Sequence, residues 1–262
     1  HPKVHPLMME SLRIVVAGAE KLNPAVREAF LTRFNKHILE GYGATETTPV
    51  ASVNLPDCLD TQYWDLQIGS KHGTVGMPLP GSNVRIVDPI TLAELPTGSD
   101  GMILIGGPQV MQGYLNNPEK TASVIKEIDG SRWYVTGDKG HLDEDGFLTI
   151  VDRYSRFAKV GGEMISLGAV ELAVQQALLE ETEVIAVNIP DAKKGEQIVL
   201  LTTVALDINE LKKAMLAHGC NPLLLPTQIL MLEQLPKLGS GKTDFGRAKQ
   251  VTLQRVMQDQ AE

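Results

Sequence analysis

"LRIVVAGAEKLNPAVREAFLTRF", residues 12–34, decides how the first part of the chain folds. An apolar run, a Gly-Ala-Glu turn and an amphipathic stretch follow one another, as in strand, turn and helix. Asn23 stands where an N-cap is expected. Pro24 suits the first helical position, where its missing N–H is not needed. Alternating signals of this kind predict a parallel α/β layer, with residues 14–17 as a buried strand and the layer running to about residue 68. From about Gly69 the texture changes. Short β-like runs at 83–87, 101–105 and 147–151, separated by Pro, Gly and Asp turns, predict a small antiparallel barrel or sheet. From about Arg156 it changes again. "GAVELAVQQALLE" reads as a helix, "EVIAVNIPD" and "IVLLTTVAL" as strands, and "NELKKAMLAHG" as a helix closed by Gly219. This is a small α+β unit. The polar segment 152–156 suits a hinge.

Bulk properties narrow the function classes. With 43% hydrophobic and 21% charged residues, the 262-residue chain has an ordinary globular composition, enough for one large domain or two modest ones. A net charge of −8 and a pI of about 5.3 argue against a nucleic-acid partner. Cys58 and Cys220 fit no metal or CxxC spacing and read as buried or idle thiols of a reducing compartment. The start of the chain has no basic region leading into an apolar stretch, so no secretory signal is expected. No run approaches the ~20 apolar residues of a membrane span.

Three stretches carry chemistry. "EGYGATETTPV" (40–50) gathers glycines, threonines and a carboxylate in one loop. Such a loop lets backbone approach a ligand, offers hydroxyls to phosphate and sets Glu46 to hold Mg²⁺; a plain Gly/Thr turn fits equally well. In "YVTGDKGHLDEDGFLTIVDRYSRF" (134–157), Asp138 suits both hydroxyls of a ribose, and the guanidinium of Arg153 suits ribose or phosphate oxygens. The DEDG there lacks the other ligands of a calcium loop and reads as a hairpin turn, with His141 at the surface. "AKVGGEMISLGAVE" (158–171) puts Gly161 and Gly162 before a helix capped by Ser166; a tight turn explains it, and so does a backbone loop lining a channel.

"LPKLGSGKTDFGRAK" (235–249) imitates the end of a phosphate-binding P-loop. The spacing argues against one. Counting back five from Gly241 reaches Pro236, which has no N–H to offer, and glycine falls in the turn that follows. A solvated lysine on a Gly-Ser turn is the plain alternative.

Together these stretches say more. Gly-Ala-Glu, Tyr-Gly-x-Thr-Glu, "GGPQVMQGYLNNPEKT", Thr-Gly-Asp, Asp-Arg-x-x-x-x-x-Lys-x-Gly-Gly-Glu and Gly-Lys-Thr run in the order of the adenylate-forming superfamily of acyl-CoA synthetases, adenylation domains and luciferases. The resemblance covers roughly residues 12–248. Within it, "RYSRFAKVGGEMISLGAVE" looks most similar to the synthetase part of the bifunctional acyl-carrier-protein synthetase/2-acylglycerophosphoethanolamine acyltransferases.

The resemblance implies ATP-dependent activation of a fatty acid to an acyl-adenylate. Transfer to the phosphopantetheine thiol of acyl-carrier protein follows, with coenzyme A as the alternative acceptor and ATP and Mg²⁺ as cofactors. It implies that Gly18, Ala19 and Glu20 border the adenine, with Tyr42 and Gly43 beside it. Thr45 contacts phosphate, Glu46 holds Mg²⁺, and Asp138 and Arg153 bind the ribose. Ser155 falls at the hinge, where the family has Asp or Lys, and Asp152-Arg153 replaces its Gly-Arg. Gly161 and Gly162 meet the thiol channel. Lys242 becomes the catalytic lysine, a cation that stabilises the charge of in-line attack on the α-phosphate. The implied architecture is an α/β layer plus β-barrel remnant of a large N-terminal domain (1–154), followed by a small, mobile α+β lid (155–262). The family's upstream Ser/Thr/Gly-rich phosphate loop has no counterpart in residues 1–40, and the chain starts His-Pro-Lys; a longer parent enzyme is expected, with this chain inactive alone. That parent is expected on the cytoplasmic side, at a membrane. No histidine is followed five positions on by Asp, so the relative's His-x-x-x-x-Asp acyltransferase motif is not in this stretch. A carrier-protein docking module, using Arg153, Arg156, Lys159, Lys193, Lys194 and Lys212, is a non-enzymatic alternative.

Overall fold

A computed structural model describes residues 3–178, 182–191, 193–239 and 241–259. The chain divides into two compact units, His1–Val151 and Asp152–Glu262. The division falls three residues ahead of the expected 154/155 boundary, because the Asp152 carboxylate bonds to Ser166 and Gly168 of the second unit.

In the first unit, β1 (Val15–Ala17), α1 (Pro24–Phe34) and β2 (Ile38–Tyr42) form the expected βα element, and the two strands pair in parallel with Ala17 opposite Glu40. Asn23 caps α1 through a 2.8 Å bond from the Ala25 N–H, and Pro24 opens the helix. After β2 come β3 (Ser52–Val53), a hairpin of β4 (Cys58–Asp60) and β5 (Asp65–Gln67), and β6 (Met77–Pro78). The first sheet has the order β1-β2-β3-β6. Burial of the first strand is not observed: Ile14 and Val16 are about half exposed. The strand is three residues long and lies at the sheet edge, and α1 contributes no buried residue to cover it.

The second sheet holds β7 (Asn83–Val87), β8 (Gly101–Gly106), β9 (Ile125–Ile128), β10 (Ser131–Leu142) and β11 (Leu148–Arg153), with α2 (Pro118–Val124) before β9. Its order is β11-β10-β8-β7, with β9 on β10. The expected barrel-or-sheet region is thus an open sheet ending at β7 and β11. Ile103, Ile105 and Leu148 are fully buried in its core, and Ala51, Tyr42 and Ala44 from the first sheet and its loop pack against them. That shared core holds the 40–50 loop over the second sheet.

The second unit is a sheet covered on both faces. β12 (Phe157–Val160), β13 (Glu163–Ser166), β14 (Val184–Asp191), β15 (Gly195–Thr202) and β16 (Gln228–Met231) alternate their side chains as strands must. Val184, Ala186, Ile198 and Leu200 face α3 (Leu167–Ala177) and α4 (Ile208–Ala217). Ile185, Val187, Val199 and Leu201 face α5 (Phe245–Asp259), a helix not read in the sequence. Each Val, Ile and Leu among these contributes about 1.5–3 kcal/mol by leaving water. Ser166 caps α3 at 3.1 Å as expected. The expected extension of α3 through Leu179 and Glu180 lies outside the described residues.

Candidate functional site

The site in the first unit grows from the end of β2. The Tyr42 hydroxyl donates to Asp138 Oδ2 at 2.5 Å, bringing together residues 96 positions apart. Asp138 is buried. It sits where the β8–β10 register shifts between Val135 and Lys139. Gly137 adopts φ +77° in that bulge, and Thr136 Oγ1 accepts from the Asp138 N–H at 3.0 Å while donating to the Ile103 carbonyl at 2.9 Å. The Thr-Gly-Asp triplet is therefore one device: threonine bonds the bulge, glycine allows its turn and the carboxylate is aimed inward. Burial, and then the Asp138 charge, push the Tyr42 phenol well above its usual range. Tyr42 stays a hydrogen-bond donor and fixes one oxygen of Asp138.

Beyond β2 the chain turns at Gly43. A Cβ there would lie 1.9 Å from the Pro49 carbonyl oxygen, so the glycine serves the closure of the loop itself. Thr45–Thr47 form one 3-10 turn, held by Thr47 Oγ1, which accepts from the Ala44 N–H at 2.9 Å. Thr45 is exposed and Glu46 half-buried. The Met111 N–H donates to the Glu46 carbonyl at 2.8 Å, and Thr48 Oγ1 donates to the Gln109 carbonyl at 2.9 Å. Glu46 Oε1 accepts from the Tyr114 hydroxyl at 2.5 Å, which pushes that phenol up to about 12. Tyr114 lies in the 106–121 stretch, where sequence alone assigns it no role. Only the fold shows that it orients the carboxylate.

Gly18, Ala19 and Glu20 follow β1 and are exposed. A Cβ on Gly18 would lie 3.0 Å from the Gly41 carbonyl oxygen, so this turn runs beside the strand that delivers Tyr42. Ala19 takes φ +76°, an uncommon conformation for a residue with a Cβ. A recess of about 510 Å³ in this unit lies elsewhere: Arg13, Arg27, Lys36 and Glu40 line it, and Tyr42, Glu46 and Asp138 do not.

The remaining candidates lie in the second unit. Arg153 and Ser155 are exposed, Ser155 within the turn Tyr154–Arg156. Gly161 and Gly162 form the two-residue turn between β12 and β13, both at positive φ (+61° and +96°), as a hairpin of that length requires. Arg156 does not serve as a docking cation. Its guanidinium is nearly buried, bonds Glu171 at 2.6 Å and lies 3.9 Å over the Phe245 ring. Lys242 is exposed on a turn closed by the Leu238 N–H to the Lys242 carbonyl (2.7 Å) and by a bridge between Lys237 and Thr243. The Gly-Ser loop expected there includes Ser240, which lies outside the described residues. A helix, α5, does follow, with Gly246 in its first turn. Asp244 caps it, accepting from the Arg247 N–H at 2.9 Å, so a carboxylate holds the helix N-terminus that a P-loop gives to phosphate. Among the described residues no group of three or more His, Cys, Asp and Glu forms a metal cage, whereas a lone, oriented Glu46 suits Mg²⁺ held jointly with phosphates. Of the two readings of the cysteines, buried or idle, burial does not hold for Cys58, which is a free, exposed thiol, while Cys220 is free and partly covered.

The AMP-binding enzyme family matches residues 2–115. The chain is 33% identical over 258 residues to the long-chain-fatty-acid–CoA ligase of Salmonella typhimurium, covering 97% of this chain and 41% of that protein. It is 31% identical over 246 residues to the ligase of that name from Bacillus subtilis, covering 92% and 41%. The chain thus spans about two-fifths of the length of these curated relatives. Among solved structures it resembles ATP-bound MatB from Rhodopseudomonas palustris, with a TM-score of 0.80, 25% identity and coverage of 96% of this chain and 48% of the other.

Proposed function

We propose, from the match of residues 2–115 to the AMP-binding enzyme family, that the chain is part of an ATP-dependent acyl-activating ligase. Its cofactors are ATP and Mg²⁺, and its substrate is a fatty acid. The observation that carries this reading is the buried Asp138 carboxylate, oriented by Tyr42 at the mouth of the Gly43–Thr47 loop. Asp138 accepts from the ribose hydroxyls. The Tyr42 ring lies against the base while its hydroxyl holds the acid. Thr45 donates to phosphate. Glu46, steadied by Tyr114, would hold Mg²⁺, which supplies charge neutralisation to the phosphates when bound.

In the first half-reaction a fatty carboxylate oxygen bonds to the α-phosphorus and the bond to pyrophosphate breaks. Lys242 is the mobile cation for the charge that builds there. In the second, a thiol displaces AMP at the acyl carbon, with the Gly161-Gly162 turn beside it. Both similar ligases are named for coenzyme A. That favours coenzyme A over acyl-carrier protein as the acceptor, reversing the order expected from residues 153–171. The two thiols share one phosphopantetheine arm, so direct competition between them in the parent enzyme separates the readings.

Titration calorimetry of this chain with a non-hydrolysable fatty-acyl-adenylate analogue tests the site. Wild-type binding that Asp138→Ala weakens about tenfold or more is expected, the size of a lost charged hydrogen-bond partner. Equal binding by both proteins would remove Asp138 from the ribose site.

A further inference from the structure

We propose that the β4–β5 hairpin is an interfacial anchor, which seats its aromatic tip in the headgroup layer of a zwitterionic phospholipid membrane. The inference stands on the hairpin alone and does not require the ligase reading.

The hairpin is built to stand out. The Leu55 N–H donates to the Gly69 carbonyl at 2.8 Å and closes its base. Leu59 pairs directly with Leu66, and Asp60 with Asp65. Because side chains alternate along a strand, the two leucines share one face and the two aspartates the other. At the tip, Asp60 Oδ1 accepts from the Gln62 N–H at 2.7 Å and the Tyr63 N–H at 3.3 Å. Trp64 takes φ +60°, rare for so bulky a residue. The result holds Tyr63 and Trp64 outward, 68% and 75% exposed, beside Leu59 (49%), Leu66 (61%) and Ile68 (52%). Contiguous apolar surface of this kind marks an interaction site. A two-stranded hairpin is marginal in water by itself, so an apolar face left uncovered on it calls for a partner.

Charge selects the partner. Residues 54–70 hold three aspartates, Asp57, Asp60 and Asp65, and no lysine or arginine. Anionic lipid would be repelled, since attraction to it needs basic residues. Ammonium headgroups are complementary: they pair with Asp65 and lie over the Trp64 ring face. Tryptophan and tyrosine, with apolar bodies and polar tips, are the residues that settle at a membrane–water interface.

The test is co-sedimentation of this chain with vesicles of phosphatidylcholine and phosphatidylethanolamine, read together with tryptophan emission. Trp133 is buried, so a blue shift on binding reports Trp64. Binding with a blue shift is expected, weakening as phosphatidylglycerol is added. The double variant Tyr63→Ser/Trp64→Ser should partition about tenfold less or worse, and Trp64→Phe should retain most of the binding. Both sites are exposed, so circular dichroism and the unfolding midpoint should be unchanged. The proposal is overturned by failure to bind any vesicle, by undiminished binding of the double variant, or by a preference for anionic vesicles. Self-association that the double variant abolishes would overturn it too, because the hairpin's occupant would then be a second copy.

Discussion

Two phenols and one guanidinium hold the carboxylates that matter. Tyr42 and Tyr114 each donate to an acid, and each is shifted upward. A phenol raised above its unfolded value of ~10 contributes stability that is fully present below that pH and is lost as pH rises through the folded value. Alkaline titration of phenolate absorbance should therefore show two late ionisations; Tyr42→Phe removes one and Tyr114→Phe the other. Variants that leave the late phase intact would contradict the pairing. In the second unit, burial pushes the Glu171 carboxyl up although Arg156 beside it acts in the opposite direction. Arg156→Ala leaves that acid buried without its cation and should cost about 3–5 kcal/mol at neutral pH. A carboxyl raised in the fold contributes stability below its unfolded value of ~4.3 and loses it as pH rises. The deficit should accordingly shrink in acid, which denaturant unfolding at two pH values checks.

At the scale of the element, the Gly43–Thr47 turn depends on one absent side chain. Gly43→Ala places a methyl 1.9 Å from the Pro49 carbonyl oxygen, and backbone cannot yield as a flexible side chain does. A loss of about 1–3 kcal/mol is expected, together with weakened binding of the acyl-adenylate analogue. Thermal unfolding and calorimetry read the two effects separately. Close approach of the chain to itself is thus one demand for glycine at this position, beside the close approach to a ligand expected of the loop.

For the whole molecule, each unit encloses its own core. Among the described residues, the two apolar clusters of the second unit draw on residues beyond Asp152, and the core of the first on residues before it. Residues 152–262 expressed alone should unfold in one cooperative transition. Leu200→Ala should lower its stability by about 2–5 kcal/mol, since Leu200 of β15 is fully buried in the core that the sheet forms with α3 and α4. A broad transition insensitive to Leu200 would mean that the first unit is needed for folding.

The sequence by itself determined the local elements and the list of chemical groups. Asn23-Pro24 opens α1, Ser166 caps α3, and the apolar run in 183–191 marks a strand, because caps and short apolar runs are legible within a few residues. The order of the motifs pointed to the family for the same reason: spacing along the chain is directly visible. Tertiary structure alone decided which groups meet. Tyr42 reaches Asp138 across 96 positions and Tyr114 reaches Glu46 across 68, distances at which no periodicity speaks. It also turned Arg156 from a surface cation into a largely covered one paired with Glu171, and residues 14–17 from a buried strand into a half-exposed edge. Burial depends on what packs over a residue, and that covering comes from segments far away in the chain.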